Sequence, residues 1–162
     1  LDDWRSTSTL AVSMINDSTD IINWPALLIG CAALLLCIAM QGSTVALVMG
    51  KLKPKLRAMA VQKRAAMAHL LFFSSIVILL ISHLFQIIIW SWFLYWPGIM
   101  TNAHHAVLLA GSTYTTVGFA NDTLTQQWQL LEVIMAVTGL FAFAWSTSIL
   151  YALSQQIYPN ED

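Results

Sequence analysis

The stretch AHHAVLLAGSTYTTVGFA, residues 103–120, is largely apolar yet too short to cross a bilayer. Ala103 to Thr113 makes a short helical run, and Thr101 or Asn102 is placed to cap its start. A helix of that length rises about 16 Å, roughly half of a hydrocarbon core. It gives way to YTTVGFAND, Tyr114 to Asp122, and polar residues then lead to Trp128. A half-length apolar helix followed by a Thr/Gly stretch reads as a re-entrant loop. Irregular backbone is tolerated at membrane depth where it is buried in protein or lines water. The whole connection, Pro97 to Gln127, is long for two helices, and long connections tend to be functional or disordered. Its apolar content argues against disorder.

Two long apolar runs bracket this segment, Met67 to Trp96 before it and Trp128 to Leu153 after it. A third, Trp24 to Met49, lies upstream, with a softer polar patch at Gln41, Ser43 and Thr44. A membrane helix needs about 20 apolar residues, and each run supplies them. Trp24, the cluster Trp90, Trp92, Tyr95 and Trp96, and Trp128 stand at or near run ends, where amphipathic rings settle at headgroups. The composition agrees: of 162 residues 58% are hydrophobic and 9% charged, and the mean hydropathy is +0.70. A water-facing domain carries roughly 25% charge, so a soluble enzyme and a disordered tail are both excluded. A net charge of −1 leaves no basic field for nucleic acid. The expected fold is an all-α, multi-pass membrane protein with three spans and one re-entrant segment.

Six of the seven Lys/Arg residues are Lys51, Lys53, Lys55, Arg57, Lys63 and Arg64; the other is Arg5. By the positive-inside rule residues 51–66 form a cytoplasmic loop, where they meet anionic lipid or dock a regulator. The N-terminal segment with Asp2, Asp3, Asp17 and Asp20 is then outside, and the tail ending in Glu161 and Asp162 is cytoplasmic. Pro54 limits a helix through the loop, while Leu56 to His69 is compatible with a short interfacial helix. Trp24 to Met49 has no positively charged leader region or small-residue cleavage signal before it, so it is expected to be a span and not a signal peptide.

Thr115-Thr116-Val117-Gly118-Phe119 resembles the selectivity filter of the potassium channel superfamily, whose usual pattern is T-T-V-G-Y-G-D, often with Phe for Tyr. Downstream, the stretch from Trp128 and Glu132 through Gly139 to Trp145 is similar to the inner helix of small prokaryotic two-helix pore channels. The resemblance covers Leu70 to Leu153 and leaves the first span unexplained. It implies a homotetramer in the plasma membrane, a bacterial inner membrane, with potassium as the permeant ligand and no cofactor. Backbone carbonyls at Thr116, Val117, Gly118 and Phe119 would replace the ion's water shell, the Thr116 hydroxyl adding an inner ligand. The short helix would aim its negative end at the pore axis.

Within that resemblance the chain divides into an outer segment 1–23, an extra membrane helix 24–50, the basic loop 51–66, a pore domain 67–155 and a tail 156–162. The pore domain comprises an outer helix 67–96, a pore helix 102–113, a filter 115–120 and an inner helix 128–153. Several positions depart from the family pattern. Ala120 replaces the second filter glycine, and Asn121 stands where the family has Asp, with Asp122 next to it. Ser112 occupies the place of a buried carboxylate behind the filter, and Leu108 and Leu109 replace bracing aromatics. If Ala120 takes the left-handed conformation, its strain is about 1–2 kcal/mol. The expectation is a filter less rigidly held, supported by Thr115, Ser112, Ala120, Asn121, Asp122 and Glu132, and sharpened in selectivity by Ala120→Gly.

Other residues carry two readings each. Gly139 lies near the middle of the last span; the resemblance implies a gating hinge, while close helix packing uses glycine equally. Glu132, one turn into that span, supports the filter or senses protons, or is a plain interfacial acid. His104 and His105 open the short helix and His83 lies within the second span; neighbouring histidines cannot face one site and no third ligand has metal spacing, which leaves pH sensing near the outer mouth or an interfacial or hydrogen-bonded structural role. Cys31 and Cys37 read as small apolar residues. The sequons at Asn16 and Asn121 read as chance matches.

Two functional classes follow. One is a tetrameric cation channel that passes potassium with full or weak selectivity. The other is a channel-like, non-conducting subunit of a larger complex with other membrane subunits. An intramembrane enzyme lacks a convergent set of His, Asp or Glu ligands.

Overall fold

Asn23 opens the first helix, its side chain accepting from the Ala26 amide at 3.4 Å, and Pro25 fills the first turn, where a missing N–H costs nothing. The computed structural model describes residues 23–62, 64–120 and 124–157. Among them, helix α1 covers Trp24–Leu47, α2 Lys53–Val61, α3 Ala65–Tyr95, α4 Ala103–Tyr114 and α5 Gln129–Ser154. A π-helical turn, Val48–Leu52, joins α1 to α2, and a 3₁₀ turn, Gln126–Trp128, leads into α5. The described residues contain no strand.

Trp24–Val61, Ala65–Tyr95 and Gln126–Ser154 are each long and apolar enough to cross a membrane. The described residues are built from helices alone, and the chain is a multi-pass membrane protein. Its first long helix corrects the expectation of a loop over 51–66. Lys51 sits in the π-helical turn and Lys53, Lys55 and Arg57 on α2, all in one helical path with α1. Pro54 does not break it because it falls in the first turn of α2, just after the turn that has already shifted the backbone ladder. The path breaks later, at Gln62 and Arg64, so no single helix runs from Leu56 to His69. Lys63 lies outside the described residues, as do Asp2, Asp3, Arg5, Asp17, Asp20, Asn16, Glu161 and Asp162.

The first span has a face that its uniform apolarity conceals. Ala26, Gly30, Ala33, Cys37, Gln41 and Val45 are buried at helical spacing, and the small ones let α1 come close to α5. Its large side chains, such as Leu28 and Leu35, point outward, as a lipid-facing surface requires. Asn23 Nδ2 donates to the Gln127 carbonyl (2.8 Å), so α1 and α5 begin at the same end.

Buried apolar residues form two clusters. One joins Ala33 and Cys37 of α1, Trp90 and Leu94 of α3, Ala106 and Leu109 of α4 and Met135 of α5. The other joins Val45, Val48, Leu56, Leu79, Ile149 and Leu153 toward the basic end. Between them along α1, α3 and α5 lies a polar layer of Gln41, Ser82, His83, Gln86 and Ser146, all buried. The first cluster and this layer seat the short helix α4.

Candidate functional site

Helix α4 begins where Asn102 accepts hydrogen bonds from the amides of His104 (2.9 Å) and His105 (3.4 Å). This is the side-chain cap anticipated for a helix start at Ala103. Ala106, Leu109, Ala110, Ser112 and Tyr114 are buried. The helix ends against the middle of α5: a Cβ built on Gly139 would overlap the carbonyl oxygen of Tyr114. Gly139 stands ten residues beyond Gln129, about 15 Å along α5. The chain then returns to the start of α5, where Glu132 Oε1 accepts from the Leu124 amide at 2.9 Å. It leaves by the end of the helical bundle at which α5 begins.

The residues after α4 fold back onto its last turn. The amides of Thr115 and Thr116 donate to the carbonyls of Gly111 (3.1 Å) and Thr113 (2.9 Å). Those of Val117 and Gly118 both donate to the Ser112 carbonyl, at 2.9 and 3.1 Å. Thr115 Oγ1 donates to the Gly111 carbonyl at 2.7 Å. Ser112 is buried directly behind the segment, and its hydroxyl donates to the Leu109 carbonyl. By contrast, the carbonyls of Thr116, Val117, Gly118 and Phe119 accept no hydrogen bond from the described residues. Val117 and Phe119 are 65% and 61% exposed. The amides of Thr115 to Gly118 are consumed on the last turn of α4, while these carbonyls are left over.

The condition set for strain at Ala120 is not met. Ala120 does not adopt positive φ; Thr116 does, at 59°, as does Gly118 at 67°. Gly118 takes the left-handed conformation without penalty, whereas a β-branched residue there is an outlier costing about 1–2 kcal/mol. The reason is local: turning the Thr116, Val117 and Gly118 amides back onto Ser112 and Thr113 reverses the chain at Thr116. Asn121 and Asp122 lie outside the described residues.

Of the other expected site residues, Glu132 is half-buried in the first turn of α5, where its charge also suits the helix N-terminus. Leu109 is buried, while Leu108 is exposed. Helix α5 continues unbroken through Gly139, and the contact with Tyr114 gives that glycine a packing reason.

The polar layer joins this site as well. The Tyr114 hydroxyl donates to Gln86 Oε1 (3.1 Å) and meets His83 Nδ1 (2.9 Å). His83 Nε2 meets Ser146 Oγ (3.0 Å), and the imidazole stacks on Phe143 with ring centroids 4.3 Å apart. Gln41 Nε2 donates to Ser146 Oγ (2.8 Å), while its Oε1 accepts from Gln86 Nε2 (2.8 Å) and Ser82 Oγ (2.9 Å). Sequence reasoning placed Gln41 in a soft polar patch and His83 inside a span without joining them. Their signal was present all the same, because a polar residue inside an apolar run needs a partner. No family model, curated protein or solved structure matches this chain.

Proposed function

We propose that the chain is one quarter of a homotetrameric channel that passes potassium down its electrochemical gradient. The observation that carries this reading is the division of polarity at residues 115–119. The amides of Thr115 to Gly118 are spent on the last turn of α4, and the carbonyls of Thr116 to Phe119 have no partner among the described residues. Unpaired carbonyls are costly in an apolar setting unless something polar occupies the space beside them. Four copies around one axis would offer a stack of oxygen rings able to replace a cation's water shell. In this arrangement Thr116, Val117, Gly118 and Phe119 coordinate the ion. Thr115, Ser112, Ala120, Asn121, Asp122 and Glu132 hold the filter, and Gly139 seats Tyr114 and lets α5 bend on gating.

The bases of residues 51–64 face the cytoplasm in this reading, as in a bacterial inner membrane, and meet anionic lipid headgroups. The acidic N-terminal segment is outside.

The test is the reversal potential of purified protein in a planar bilayer under opposing potassium and sodium gradients. A value close to the potassium equilibrium potential supports the reading, and clear current reversing near zero makes the pore non-selective. Silence across voltage and pH, with one copy bound to other chains in detergent, would replace the channel by a non-conducting subunit of a larger complex.

A further inference from the structure

Tyr114 is held at both of its ends. Its carbonyl lies against Gly139, and its hydroxyl belongs to a closed circuit of five side chains drawn from four helices. Around the circuit, Gln86 donates to Gln41, Gln41 to Ser146, and Tyr114 to Gln86, and His83 bridges Ser146 and Tyr114. The Tyr114 proton is spent on Gln86, so His83 Nδ1 donates to Tyr114, Nε2 accepts, and the Ser146 hydroxyl donates to Nε2. Each member both gives and receives, and the imidazole takes part as the neutral ring. A circuit of this kind is all or nothing: deleting one member leaves two buried groups unpaired.

Gln41, 1% exposed, is the member on α1. It links Gln86 of α3 to Ser146 of α5, and it also receives Ser82. We propose that Gln41 is a positioning residue for the loop: through Gln86 it fixes the Tyr114 hydroxyl and so the point from which residues 115–120 leave α4. The first span is then a working part of the site. This inference rests on the reading that Thr116 to Phe119 coordinate ions, because a carbonyl ring works only if its supports hold it to a fraction of an ångström.

The test uses the full chain reconstituted in liposomes as wild type, Gln41→Leu, Tyr114→Phe and the double variant. Ser82→Ala is the comparison, since it removes a bond to Gln41 and leaves the circuit closed. Two quantities are read: the potassium-to-sodium permeability ratio, and hydrogen exchange of the amides of Thr115 to Gly118. Gln41→Leu is expected to lower the ratio several-fold and to speed exchange at those amides about ten-fold. Tyr114→Phe, which deletes one oxygen and is the gentler change, should do the same. The double variant should be no worse than either single one, because both open the same circuit. Unchanged exchange at residues 115–118 in Tyr114→Phe or in a folded Gln41→Leu overturns the proposal, and so does an equal effect of Ser82→Ala. If the wild type carries no current, the channel reading falls, and the exchange pattern alone decides the positioning role.

Discussion

The carbonyl of Tyr114 rests on the Cα of Gly139, so that the end of α4 and the middle of α5 meet backbone to backbone. A side chain at position 139 has no space to occupy, because what it would strike is main chain and cannot rotate away. This contact sets the depth at which α4 stops and hence where residues 115–120 begin.

Gly139→Ala is therefore expected to destabilise the protein by at least the about 1–3 kcal/mol typical of overpacking. Thermal unfolding in detergent should show a clearly lower Tm. An unchanged Tm would mean that the helices separate at no cost, and that the contact is not a constraint.

Thr116 and Ala120 make a matched pair of tests. Thr116→Gly relieves about 1–2 kcal/mol of left-handed strain against a glycine entropy cost of about 0.5–1 kcal/mol, so it should raise stability by roughly 0.5–1 kcal/mol, even though it deletes a hydroxyl. Ala120→Gly relieves nothing, since Ala120 is not left-handed, and should cost about 0.5–1 kcal/mol through backbone entropy. The two shifts in Tm are expected to have opposite signs. The same sign for both would return the strain to Ala120.

Glu132 holds the returning chain through the Leu124 amide, and its charge also sits in the first turn of α5. Glu132→Gln keeps an acceptor and should lose about 0.3–1 kcal/mol, the helix-terminus part. Glu132→Ala leaves the Leu124 amide unpaired and should cost about 1–3 kcal/mol, with faster hydrogen exchange at Leu124. Equal effects of the two substitutions would show that the hydrogen bond contributes nothing.

Lys51, Lys53, Lys55 and Arg57 lie on one helical path that leaves the apolar part of the first span. If these bases orient the chain as proposed, replacing all four with Gln removes most of the charge bias and should give a mixture of orientations. Protease protection of a C-terminal tag in sealed vesicles reads this directly. A single retained orientation would assign the topology to another feature.

Much of the fold was legible because its signals are local. Run length identifies the three spans, and Asn102 marks the start of α4 because a cap is made within three residues. The stretch from Thr115 to Phe119 stands out where a Thr/Gly sequence interrupts apolar surroundings. Pro54 misled for the same reason: read locally it breaks a helix, but the π-helical turn before it places it where a proline is accepted.

What the sequence by itself determined is the membrane class, the number of spans, the half-length helix between the last two, and the stretch that follows it. Each depends on residues within a few turns of one another. The tertiary structure alone decided which face α1 buries, that Thr116 and not Ala120 takes the left-handed turn, and that Gln41 is tied to Tyr114 through Gln86. The physical reason is range. The bond from Gln41 to Ser146 joins positions 105 apart, and a buried polar group finds its partner once the helices have packed.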